Sequence, residues 1–261
     1  MNIKTILSPA ELPALARHDL SGTACVVFDI LRATSTFVTA LHNGAAAIIP
    51  VSEISEALAR KKSAAASQPS KLILLGGERD GVRISSNGID FDLGNSPHEF
   101  TPERVRGQTI VSTTTNGTRA LQACASAQCV VAAAFLNLGV TAKFLQQKKF
   151  AEVYLICAGT GEGVADEDML AAGALIELLV GQGSVDSNST GEVSESSRLA
   201  LEKFTAAKTD LAAAIGAAQN GRRLLANPEL RADVAFCAQR DIFNLVAVMN
   251  PDGALRTVTA D

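Results

Sequence analysis

No apolar run in this sequence is long enough to cross a bilayer. Its opening stretch, MNIKTILSPAELPALARHDL, meets Pro13 before the apolar core of a secretory signal could form. Both absences point to a cytoplasmic protein with no membrane role. A basic surplus is missing too: 23 Lys and Arg stand against 27 Asp and Glu, the formal net charge is -4, and the basic residues do not gather into one run. Nucleic-acid binding needs a positive field, so no nucleic-acid partner is expected. Cys-x-x-Cys pairs are absent. The five cysteines, Cys25, Cys124, Cys129, Cys157 and Cys237, are scattered and odd in number, which argues for reduced, buried thiols rather than a disulfide framework or a zinc site. Neither GxGxxG nor GxxxxGK[ST] occurs, and the nearest run, GTGEG at 159–163, has the wrong spacing, so no nucleotide cofactor is expected.

What is present is a regular alternation. With 47% hydrophobic residues over 261 positions, the chain can bury a large core, and we read residues 1–261 as one domain. The runs TACVVFDIL, AAIIPV, KLILLGG, QTIVSTT, QCVVAAA and EVYLICAG read as strands. Helical patterns lie between them at 35–43, 53–66, 116–126, 138–148 and 167–180. Near-continuous apolar strands alternating with helices predict an α/β fold, a three-layer α/β/α arrangement around a mostly parallel sheet. Residues 80–104 are too polar and too long for a simple connector, and 181–193 reads as a flexible surface loop. A mostly helical part, 194–242, and a final strand at 245–249 follow. The Ala/Leu helices make a homodimer plausible.

Ligands of such sheets bind beyond the carboxyl ends of the strands. Read in order, those ends carry Asp29 and Arg32 in FDILRATST, Glu78 and Arg79 in GGERDG, TTTNGT at 113–118, CAGTGEG at 157–163, and the acids Asp166, Glu167 and Asp168. Backbone amides, Thr hydroxyls and glycines ahead of a helix make a cradle for a phosphate or another oxyanion. The plainer reading is that Thr115 or Asn116 caps the helix that follows. Asp29 ends a strongly apolar strand, where a carboxylate needs a metal, a cation or hydrogen bonds to offset its burial. Arg32 either clamps a phosphate or sulfonate in bidentate fashion or pairs locally with Asp29. Glu167 and Asp168 could simply favour the dipole of the helix they open. Together the carboxylates and the cradle match a Mg²⁺ phosphoryl-transfer site, which needs hard oxygen ligands and anion-binding amides. Three common phosphatase routes are excluded. Leu31 occupies the second aspartate position of DxD, Cys25 and Arg32 are one residue too far apart for CxxxxxR, and Arg17-His18-Asp19 lacks the glycine of RHG and follows no strand.

The ordered motifs FDILRATST, LLGGER, FDLGNSP, TTTNGTRAL and CAGTGEG followed by DEDMLAAG resemble the 2-phosphosulfolactate phosphatase (ComB-like) family, densely from about residue 24 to 180 and more weakly through DVAFCAQRDIFNLV at 233–246. That resemblance implies a Mg²⁺-dependent acid phosphatase with its own α/β fold. Its substrate would be 2-phospho-3-sulfolactate and its product 3-sulfolactate, on the way to coenzyme M. Carried over by position, it places Asp29, Glu78 and Asp168 near the metal and Arg32 and Arg79 against the anionic groups. Asn95, Ser96, Thr114, Thr115, Asn116, Gly117 and Thr118, with Gly159 and Thr160, would hold substrate oxygens. His98 is expected at the surface or in packing. Attack by an activated water and a phosphoaspartyl intermediate on Asp29 both fit these residues. The sequence departs from the family pattern in TGEGVADED and in 181–193. A noncatalytic phosphometabolite binder would gain nothing from clustered carboxylates unless a cation neutralised them, whereas a phosphotransferase would use the same residues.

Overall fold

The computed structural model describes residues 1–67, 73–86, 88–181 and 191–258. Its strands are β1 (Asn2–Ile6), β2 (Thr23–Phe28), β3 (Ala47–Pro50), β4 (Ile73–Arg79), β5 (Val82–Arg83), β6 (Ser85–Ser86), β7 (Ile89–Asp90), β8 (Thr109–Thr113), β9 (Cys129–Ala133), β10 (Glu152–Cys157), β11 (Val246–Met249) and β12 (Leu255–Val258). The helices are α1 (Leu12–Leu15), α2 (Ala33–His42), α3 (Ile54–Ser67), α4 (Pro102–Val105), α5 (Gly117–Ala123), α6 (Leu138–Lys148), α7 (Asp166–Val180), α8 (Glu195–Ala207), α9 (Leu211–Ala217), α10 (Gln219–Leu225) and α11 (Arg231–Cys237). Ten strands form one large sheet in the order β1-β10-β2-β9-β11-β12-β3-β8-β4-β5, and β6 and β7 make a separate small ribbon. Two parallel blocks, β1-β10-β2-β9 and β3-β8-β4, are joined through the antiparallel pair β11 and β12. The fold is thus α/β with a mostly parallel sheet.

Every residue of β2, β8 and β9 is buried, as near-continuous apolar strands require when both faces of a sheet are covered. Of the stretch 181–193, residues 182–190 lie outside the described residues, as do the first two residues of the KLILLGG run. Five described strands escaped the apolar-run reading: β1, β12 and the two-residue strands β5, β6 and β7. In β1 the buried Ile3 and Thr5 alternate with exposed Asn2 and Lys4, a period-two pattern too short to stand out, and β12 has only Leu255 buried. All five cysteines are buried and free of disulfides, in keeping with the sequence expectation. No described helix is long and apolar enough to cross a membrane.

Packing brings the C-terminal helices back onto the sheet. α7 lies against α8, and Gly173 makes that approach possible, because a Cβ there would collide with the backbone carbonyl of Ala200. Ser194 caps α8 by accepting a hydrogen bond from the Ser197 amide at 3.2 Å. Gly221 does the same service between α9 and α10, where a side chain would meet the Ile215 carbonyl. This return positions α10 and α11 over the strand ends that the motifs occupy.

Candidate active site

The ends of β2, β4, β8 and β10 converge on a cavity of about 260 Å³, lined by Asp29, Leu31, Arg32, Glu78, Asp80, Gly81, Asn95, Thr115, Asn116, Gly159, Thr160, Gly161, Asn220 and Arg223. The turn from β4 to β5 is built to aim Glu78 into it. Asp80 takes a left-handed conformation (φ 54°) and Gly81 follows at φ 80°, which folds the Gly81 amide back onto Glu78 Oε2 at 2.6 Å. Glu78 Oε1 accepts from the Thr115 amide at 2.9 Å and from the Thr115 hydroxyl at 3.0 Å. Thr115 therefore serves the carboxylate first.

Asp29 is fixed by the start of α2, its Oδ1 accepting from the Ala33 amide at 3.0 Å. Gly117 closes over it: a Cβ at that position would lie 2.6 Å from Asp29 Oδ2. Burial raises the Asp29 carboxyl to about 7; the Glu78 and Glu167 charges add to the shift, while the Ala33 amide and Arg32 oppose it. Asp168 behaves differently. Its Oδ1 accepts from the Ile30 amide at 2.8 Å and its Oδ2 from the Gly159 amide at 3.0 Å, so it braces the ends of β2 and β10 from behind the cavity wall. Burial, with Glu167 and Asp29 close by, pushes its carboxyl well above the ordinary value.

The arginines also divide. Arg32 lines the cavity but does not pair with Asp29. Its Nη1 lies 2.8 Å from Oδ2 of the fully buried Asp233, and its Nη2 donates to the Gly81 carbonyl at 2.8 Å. Asp233 Oδ1 in turn accepts from the Ser96 hydroxyl at 2.7 Å, which makes Ser96 part of this buried network rather than of the cavity wall. Arg79 is absent from the lining; its guanidinium binds the Glu78, Ser52 and Thr113 carbonyls and the Thr113 hydroxyl, locking β4 to β8. Thr114 and Thr118 spend their hydroxyls on each other's backbone at 3.0–3.3 Å. Asn116 stands at the N-cap of α5 but caps nothing with its side chain. Its Nδ2 donates to the Ala158 carbonyl at 2.8 Å and the Gly161 carbonyl at 3.0 Å, tying β8 to the loop after β10. His98 is half-exposed and packs on Phe236 with ring centroids 5.0 Å apart.

Three residues that the sequence reading passed over, Asp233, Asn220 and Arg223, shape the site, together with Glu167, which it read only as a helix-opening acid. Glu167 is 1% exposed, and its Oε2 has no hydrogen-bond partner among the described residues. Its Oε1 accepts from Asn220 Nδ2 at 2.7 Å, and the same nitrogen donates to the Thr160 hydroxyl at 2.6 Å. No three His, Cys, Asp or Glu side chains among the described residues form a ready metal cage. An ion that keeps several waters needs only one or two protein carboxylates. The lining offers Asp29 and Glu78 for that purpose. The buried, unpartnered oxygen of Glu167 and the upward shift of Asp29, caused first by burial and then by the Glu78 and Glu167 charges, mark a region where carboxylates are poorly solvated and lie close together.

A family model for 2-phosphosulpholactate phosphatase matches residues 9–252. Curated proteins named probable 2-phosphosulfolactate phosphatase are similar over most of the chain. That of Synechococcus sp. (strain JA-3-3Ab) is 38% identical over 248 residues, covering 95% of this chain and 93% of its own. That of Thermotoga petrophila is 36% identical over 228 residues (86% and 88%), and that of Caldanaerobacter subterraneus subsp. tengcongensis 36% over 242 residues (92% and 92%).

Proposed function

Because the chain belongs to the 2-phosphosulpholactate phosphatase family, we propose that it is a phosphoric monoester hydrolase that takes 2-phospho-3-sulfolactate, with Mg²⁺, to 3-sulfolactate and phosphate. The observation that carries this reading is the cavity itself. Two carboxylates from separate strand ends, Asp29 and Glu78, share a space of about 260 Å³ with Arg32, Arg223 and the amides of Asn95, Asn116 and Asn220. That volume suits a small hydroxy-acid phosphate, and the mixture of acids and donors suits a divalent ion beside an oxyanion.

Asp29 and Glu78 would hold the ion, which when bound neutralises charge on the phosphoryl oxygens and acidifies a water. The chain's own residues do the rest. Asp168 keeps the ends of β2 and β10 in register through the Ile30 and Gly159 amides, so that Asp29 and the glycine loop stay opposed. Thr115 and Gly81 hold both oxygens of Glu78. The Asn95 amide and the Arg223 guanidinium are donors for oxyanions, Asn220 holds Thr160 and Glu167 in place beside them, and the walls limit the alcohol to a small one. In the net reaction a water oxygen ends on phosphorus, the P–O ester bond breaks, and the leaving alkoxide takes a proton.

Phosphate release from racemic 2-phospho-3-sulfolactate, with and without Mg²⁺ and beside phospholactate and an aryl phosphate, tests the reading. Mg²⁺-dependent release with preference for the sulfonated ester is expected. Turnover of the other esters alone would keep the chemistry and refute the substrate; release from none would leave a binding protein.

A further inference from the structure

We propose that Arg223 is the specificity residue of this site, its guanidinium binding the sulfonate that sets 2-phospho-3-sulfolactate apart from simpler phosphate esters; the assignment rests on the activity proposed above. Two cationic side chains line the cavity, Arg32 and Arg223. The charge of Arg32 is already matched: it is 3% exposed, ion-paired to buried Asp233 at 2.8 Å and bonded to the Gly81 carbonyl. Arg223 makes no hydrogen bond or ion pair among the described residues; its charge acts at longer range on the buried Glu167 carboxylate, and its five donors are left for a ligand.

Its placement is built into the fold. Asn220, one helical turn before it on α10, also lines the cavity and is anchored to Thr160 and Glu167. That anchor presents the face of α10 carrying Arg223 to the cavity. Across from it stands Gly81, where a Cβ would make ordinary van der Waals contact with Arg223 Nη2 at 3.4 Å, so the guanidinium lies directly against the turn that holds Glu78. The turn conformation at Gly81 (φ 80°) demands glycine, so the residue that faces Arg223 is also the one whose amide positions Glu78.

Chemistry selects the ligand group. A sulfonate is a permanent anion with three oxygens, and a guanidinium fork meets two of them at once. Asp29, Glu78 and Asp80 also line the cavity, so a substrate with several negative charges meets repulsion there. An unpaired arginine offsets that repulsion for a sulfonated substrate and offers much less to an ester whose alcohol carries no anion.

Steady-state kinetics of Arg223→Ala and Arg223→Lys on 2-phospho-3-sulfolactate and on an aryl phosphate test this, with Arg222→Ala as control. Arg222 removes the same charge from the same helix but donates to the Ala217 carbonyl and lies outside the lining. Loss of a charge-assisted contact predicts a rise of about 10- to 100-fold in KM for the sulfonated ester with Arg223→Ala. The preference over the aryl phosphate should fall by a similar factor, lysine should restore part of it, and 3-sulfolactate should bind more weakly in calorimetry. Equal KM rises for both esters, an unchanged KM, or the same effect from Arg222→Ala would overturn the assignment. A wild-type enzyme with no preference for the sulfonated ester would instead refute the proposed substrate, whatever the variants do.

Discussion

Replacing Asp233 with alanine strips the buried Arg32 guanidinium of its counter-ion, and the cost follows from the burial of both partners. Asp233 is 0% and Arg32 3% exposed, their closest atoms are 2.8 Å apart, and the second Asp233 oxygen holds the Ser96 hydroxyl. Breaking a buried pair by removing one member costs about 3–5 kcal/mol, because the remaining charge stays in a medium that solvates it poorly. For a chain of this size each kcal/mol lowers the melting point by roughly 2–4 °C, so Asp233→Ala should melt about 6–20 °C below wild type. Urea unfolding of Asp233→Ala, Arg32→Met and the double variant gives the coupling directly: the double should cost less than the sum of the singles by about 2 kcal/mol or more. The catalytic consequence is separate. Arg32 also holds the Gly81 carbonyl, and the Gly81 amide holds Glu78, so kcat should fall even well below the melting transition. A cost under about 1 kcal/mol for Asp233→Ala, or additive singles, would refute the claim that this pair fastens the β4 to β5 turn.

The Asp29 carboxyl, raised to about 7 by burial and by its acidic neighbours, lies above its unfolded value; its protonated form therefore contributes stability that is complete below about pH 4 and lost as pH rises through 7. Metal-free protein in EDTA should melt lower at pH 8 than at pH 5, and Asp29→Asn should flatten that dependence while lowering kcat by about 10²-fold or more; an unchanged pH slope in the variant would count against the placement. Gly117→Ala inserts a carbon 2.6 Å from Asp29 Oδ2 and 2.7 Å from Ala33 Cβ. It should cost about 1–3 kcal/mol in stability and considerably more in kcat, as turnover measured beside a melting curve will tell. Asn116→Ala leaves the Ala158 and Gly161 carbonyls without their donor, so we expect a loss of about 1–3 kcal/mol together with a raised KM as the glycine loop shifts; a lowered melting point with unchanged kinetics would confine Asn116 to a structural role.

Much of the strand framework was legible because β2, β9 and β10 are apolar along most of their length and β8 carries a buried Ile-Val pair, and the motifs at their ends follow from where such sheets bind ligands. Sequence position does not say which way a polar side chain turns once it arrives. Arg32 and Arg79 carry the same charge at the ends of β2 and β4, yet one reaches the cavity and the other is consumed by carbonyls between β4 and β8. Asp29 and Asp168 both sit beside the glycine loop, but only Asp29 lines the cavity, because two backbone amides claim both oxygens of Asp168. Asp233, Asn220 and Arg223 were invisible for a different reason. Asn220 and Arg223 lie in a helical tract with no motif of its own, Asp233 opens the weakly matching DVAFCAQRDIFNLV, and the role of all three is created by α10 and α11 folding back over strand ends more than 50 residues earlier in the chain. On the proposed reading, the phosphate-handling residues come from local motifs and the selectivity from a distant helix. Substitutions in α10 should therefore change which ester is hydrolysed more readily than whether hydrolysis occurs.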